Sequence, residues 1–90
     1  MSTTDSEARR RIALRLKRAR GQLDAVIAAV EEDRPCRDVV TQLSAVTHAL
    51  DRAGFAVVST AMRDCMVASE EGTEPELSVE ELEKLFLTLA

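Results

Sequence analysis

The chain reads as an all-α protein of three helices, at about 6–33, 35–67 and 78–89. Three observations predict this. Apolar residues recur at alternating steps of three and four along both long segments, which is the spacing of a helical stripe. Pro35 and the polar stretch SEEGTEPE are the breaks, and no proline falls between Cys36 and Cys65. Hydrophobic residues make up 46% of the 90 but aromatic ones only 2%, so the helices must pack through Ala, Val and Leu. A chain this short is one domain, 1–90, with a limited core for a lone copy. So little bulk on three helices predicts an oligomer.

Helix one starts where Asp5 or Ser6 can cap it, and Ile12, Leu16, Ala19, Leu23, Val26 and Val30 form its heptad seam. Glu31-Glu32-Asp33 and then Arg34-Pro35 end it near Asp33, because the residue before proline avoids the α region. The short connection folds helix two back antiparallel. Pro35 suits the opening position of that helix, and Val39, Leu43, Val46, Leu50, Ala53 and Val57 are its expected buried stripe. Gly21 and Gly54 lie inside the two helices, each less favourable than alanine by ~1 kcal/mol. Close approach of a neighbouring helix is the usual reason for glycine there. Helix three opens at Ser78, whose spacing to Glu81 matches a capping box, and Leu82, Leu85, Phe86 and Leu89 give it one apolar face.

The net charge of −4 argues against nucleic acid when taken alone, but the charges are unevenly placed. Residues 1–20 carry seven bases against two acids, whereas residues 63–90 carry eight acids against two bases. Arg11, Arg15, Arg18 and Gln22 follow i, i+4, i+7, i+11 on one face of helix one, and Arg9 and Arg10 extend the cluster. A charged helix face is often only a solvated surface. Seven bases within twelve residues of an otherwise acidic chain point instead to phosphate contact. The scarcity of aromatic residues excludes base-stacking platforms, and both long helices exceed the helix-turn-helix format.

Cys36 and Cys65 are the only thiols, 29 positions apart. On one unbroken helix they lie ~44 Å apart along the axis and within about 20° of the same face. They share a face but cannot touch within a chain. An antiparallel pair of such helices, crossing near Leu50 and Asp51, brings Cys36 of each chain to Cys65 of the other. The sequence shows no apolar leader or membrane-length run, which predicts a cytoplasmic protein. There, two cysteines point to metal or redox chemistry rather than to a structural disulfide. The plain alternative is a pair of small buried hydrophobes.

Cys36 falls in the first turn of helix two, between Arg34 and Arg37, where the helix dipole attracts an anion. Two thiolates suit Cu(I), while Zn(II) wants four ligands. Ala61, one turn before Cys65, cannot ligate, and Met62 reads as pointing to a different face. His48 lies ~18 Å from Cys36 along the helix and off the seam. The donor set is a dithiol without nitrogen, better suited to sulfur exchange than to tight metal binding.

LKRARGQLDAVIAAVEEDRPCRDVVTQLSAVTHAL, followed by Cys65, resembles the copper-sensing operon repressor (CsoR-like) family of bacterial transcriptional regulators over roughly residues 9–67. The resemblance implies a three-helix protomer, an antiparallel dimer and a dimer of dimers. It also implies operator DNA binding that is lost when an inducer reaches Cys36 and Cys65 between protomers. The family's DNA-contact arginines fall on Arg15 and Arg52, with Arg18, Gln22, Arg9, Arg10 and Arg11 as further candidates. Copper-sensing members carry a histidine four residues before the second cysteine, where this chain has Ala61. Nickel and cobalt sensors use histidines absent here, and formaldehyde sensors have proline where this chain has Ser2. The remaining dithiol is similar to the persulfide-sensing (CstR-like) branch.

The expectation is a homotetrameric repressor that needs no cofactor. Persulfide or polysulfide would cross-link Cys36 to Cys65 of the partner chain and release the DNA. The alternative inducer is Cu(I) on the same two thiolates, and a third reading is a helical interaction module with inert cysteines. No acid or base accompanies the thiols, so catalysis is not expected.

Overall fold

The computed structural model describes residues 6–90, which form α1 (Ser6–Glu31), α2 (Cys36–Glu71) and α3 (Val79–Leu89). The proposed cap at Asp5 and the comparison at Ser2 lie outside the described residues. Helix α1 packs antiparallel along α2, and α3 folds back over the second half of α2.

Each helix ends for a local reason. Asp33 takes a left-handed conformation (φ 54°), one of the few non-glycine residues that tolerate it. Its N–H donates to the Val30 carbonyl at 3.2 Å, and the Arg34 N–H donates to Ala29 at 2.9 Å. That pair of bonds closes α1 after Glu31, two residues short of the expected end. Pro35 then precedes α2, and its carbonyl accepts from Asp38 and Val39. Helix α2 runs unbroken for 36 residues and passes four residues beyond the expected end, through Ala68, Ser69, Glu70 and Glu71. Gly72, with φ 71°, stops it by the same device: the Thr73 N–H donates to the Ala68 carbonyl at 2.9 Å. The predicted capping box opens α3. Ser78 Oγ accepts from the Glu81 N–H at 3.1 Å, and Glu81 Oε1 accepts from the Ser78 N–H at 3.2 Å.

The core is narrow and made of small side chains. Ile12, Ala19 and Val26 of α1 and Val46, Ala53 and Thr60 of α2 are buried, and Leu82 is the one buried residue of α3. Half of the expected α1 stripe is therefore inside, but of the α2 stripe only Val46 and Ala53 are, with Val39 half-buried. Leu16, Leu23 and Val30 of α1, and Leu43, Leu50 and Val57 of α2, are exposed, contrary to the sequence expectation. A single neighbour covers only part of a helix's apolar face, and the rest is left over. The protomer is a slab of 57 × 25 × 13 Å. At ~100° per residue, Leu16, Leu23 and Ile27 lie roughly 120° round α1 from Arg15, Arg18 and Gln22. One side of the slab is thus apolar and the other basic.

The two helical glycines differ. A Cβ on Gly54 would sit 2.9 Å from Leu89 Cδ2, so this glycine admits the end of α3. A Cβ on Gly21 would meet nothing within 4 Å, so close approach does not explain it. No helix among the described residues is long and apolar enough to cross a membrane.

Candidate nucleic-acid interface and thiol site

Arg15, Arg18 and Gln22 of α1 converge with Ala49 and Arg52 of α2 on one open groove of about 430 Å³. Arg15 and Gln22, seven positions apart, share one face of α1 through the helical repeat, and Arg52, thirty positions after Gln22, joins them because the helices run antiparallel. A second groove of about 170 Å³ continues the first. It shares Arg15 and adds Arg11, Ser59 and Arg63. The arginine track therefore runs along the α1–α2 cleft on the basic side of the slab. Arg11 also reaches Glu7 at 3.8 Å, an exposed pair within its own helix. Among the described residues, no carboxylate pairs with Arg15, Arg18, Arg52 or Arg63. Four unpaired guanidinium groups facing a shallow cleft can hold phosphate oxygens bidentately. Arg9 and Arg10 are exposed and line neither groove.

Arg63 was not among the sequence candidates. Its signal was there: Arg52 and Arg63 stand at i, i+11, the same spacing as Arg11 and Gln22. Counting it with the acidic residues 63–90 hid it.

Both cysteines lie on the one unbroken helix, Cys36 exposed at its first residue and Cys65 half-buried near its far end. Their axial separation is ~44 Å, so no bond joins them within a protomer. Going round α2, each thiol lies about 140–180° from Arg52 or Arg63. Thiols and arginines occupy opposite sides of the same rod.

Cys65 lines a cavity of about 440 Å³ between α2 and α3, together with Val58, Met62, Met66, Leu82 and Phe86. The expectation that Met62 points to another face is corrected here: it shares the cavity with Cys65, because α3 folds over both. Ala61 lines a separate cleft with Val57, Asp64, Glu76 and Leu77. His48 is exposed, and its Nδ1 lies 2.7 Å from the Ser44 carbonyl, where a protonated Nδ1 donates to it. It takes no part in the thiol site. Among the described residues, no cluster of three His, Cys, Asp or Glu could hold a metal ion.

Comparison with known proteins gives this arrangement a context. A family model described as "Metal-sensitive transcriptional repressor" matches residues 8–88. The chain is 35% identical over 82 residues to the copper-sensing transcriptional repressor CsoR of Mycobacterium ulcerans (strain Agy99), covering 91% of this chain and 70% of that protein. It is 36% identical over 76 residues to the protein of that name in Mycobacterium tuberculosis (strain ATCC 25618 / H37Rv), covering 83% and 64%. The Bacillus subtilis (strain 168) CsoR is 30% identical over 81 residues, covering 90% and 80%. No solved structure matches the chain. With the match spanning all three helices, the arginine track and both cysteines, this chain belongs to the CsoR family of metal-sensitive transcriptional repressors.

Proposed function

We propose that two antiparallel copies of this chain hold operator DNA along the arginine track and release it when Cu(I) reaches Cys36 and Cys65 at their junction. One observation carries the reading: Arg15, Arg18, Gln22 and Arg52 converge on one groove, while the thiols sit on the other side of the same helix. DNA and inducer then do not compete for space. A change at the thiols must pass through α2, and a rigid helix transmits a rotation or shift along its whole length. The apolar rows on the far side of the slab supply the surface on which a second copy would pack.

Cu(I) is favoured as inducer because the named relatives are copper sensors, and because thiolates are soft donors that suit it. When bound, Cu(I) supplies a link between thiolates of two chains. The protein's part is to keep Cys36 accessible at a helix start, to half-bury Cys65 beside an apolar cavity, and to keep both on one rod.

A second reading rests on Ala61, which offers no nitrogen donor. In it, the Cys36 thiolate attacks a polysulfide, which departs two sulfurs shorter and leaves two added sulfur atoms on Cys36. The partner's Cys65 thiolate then attacks the inner added sulfur, expels hydrosulfide and leaves the chains joined through sulfur. The comparisons favour copper over this reading.

The experiment uses duplex DNA selected by the reduced protein from a random-sequence pool. Fluorescence anisotropy is followed at two salt concentrations, then with Cu(I) or with polysulfide. Salt-sensitive binding abolished by stoichiometric Cu(I) supports the first reading. Release by polysulfide alone, with cross-linked dimers heavier by whole sulfur atoms, replaces it with the second. Absence of salt-sensitive DNA binding overturns both.

A further inference from the structure

Three of the chain's five sulfur-bearing residues meet one space: Cys65, Met62 and Met66 all line the cavity between α2 and α3. Met62 precedes Cys65 by three residues, which sets their Cβ atoms ~5–6 Å apart on neighbouring turns. Met66 follows Met62 by four and completes the group. Neither methionine is spent on the core, since Met62 is 52% and Met66 65% exposed. Val58, Leu82 and Phe86 form the apolar wall, and Glu83 is the single carboxylate among the lining residues. The position one turn before Cys65 holds Ala61, which donates nothing.

The geometry points to Met62 as a thioether ligand for Cu(I) beside the Cys65 thiolate, with Cys36 of a second chain completing an all-sulfur site. Met66 is the reserve thioether on the same cavity wall. This deepens the copper reading and rests on it. Thioether sulfur is a soft, neutral donor that selects Cu(I) over harder divalent ions. Methionine has three rotatable bonds, so its sulfur can swing towards the thiolate while the backbone stays in place. Val58, Leu82 and Phe86 offer no competing donor beside these sulfurs. The site thus replaces a nitrogen donor with sulfur from the next residue along the helix.

The test loads the reduced, selenomethionine-labelled chain with Cu(I) and records X-ray absorption at the selenium and copper edges. A direct copper–selenium distance is expected, and Met62→Leu should remove or weaken it. In competition with a Cu(I) chelator, Met62→Leu should bind at least ~10-fold more weakly, because even outer-shell partners of a metal ligand are worth 10–100-fold. Met62→Leu/Met66→Leu should bind more weakly still. Leucine fills a similar volume at an exposed position, so circular dichroism and assembly state should not change. Copper bound through sulfur with no copper–selenium distance, together with unchanged affinity in both variants, overturns the thioether ligand and leaves the copper reading intact. Failure of the unsubstituted chain to take up Cu(I), with both thiols still freely alkylated, overturns both.

Discussion

Arg52 and Arg63 lie on one row of α2 and face Arg15 of α1 across the cleft. An arginine that contacts phosphate adds about one unit to the salt dependence of DNA binding without choosing a sequence. Arg52→Ala and Arg63→Ala should each weaken binding uniformly across DNA sequences and lower the salt slope by about 1 for each chain engaged. Arg10→Ala, outside both grooves, should change the slope less. Anisotropy titrations over a salt series measure all three. An Arg63→Ala slope equal to that of the unsubstituted chain would remove Arg63 from the interface. Of the groove residues, Arg15, Arg18, Gln22 and Arg52 were legible from spacing and resemblance. Arg63 was not, because regional charge totals conceal two bases among eight acids.

At the scale of elements, the two glycines make opposite predictions. Gly21→Ala places a methyl group in open space and should stabilise α1 by about 0.5–1 kcal/mol, since alanine is the better helix former. Gly54→Ala gains the same propensity but puts its Cβ 2.9 Å from Leu89 Cδ2, so the Leu89 side chain must shift. Its net effect should be smaller than that of Gly21→Ala, or reversed. Thermal unfolding by circular dichroism separates them, and equal stabilisation by both would show that Leu89 yields freely. Element ends were legible where one residue type dictates them. Ser78 with Glu81 set the start of α3. The end of α2 was placed four residues early, because Gly72 and not the first polar residues stops the helix. The end of α1 was misplaced by two residues because Asp33, not the proline, makes the left-handed turn.

For the whole molecule, the telling feature is how little a lone protomer buries. No large side chain is fully enclosed, and Leu43 and Leu50 remain 46% and 48% exposed at a spacing of one heptad. A stable interface removes about 1,200–2,000 Å² in total, and these rows are the apolar surface a second copy would cover. Leu50→Glu, near the crossing point of two antiparallel helices, should disrupt assembly and lower the melting temperature. Leu87→Glu, at a 64% exposed site on α3, should do neither. Sedimentation velocity distinguishes them, and intact oligomers of Leu50→Glu would move the interface elsewhere.

Periodicity, caps and the fixed rise of a helix are local properties, so the sequence alone determined three helices, one unbroken rod and two thiols too far apart to meet within it. Periodicity marks a face, however, and not which part of that face a neighbour covers. Only packing decided that Leu16 and Leu50 stay outside, that Arg63 joins the groove and that Met62 lies beside Cys65. Each of those placements depends on where a second or third helix comes to rest, and contacts between distant segments set that position.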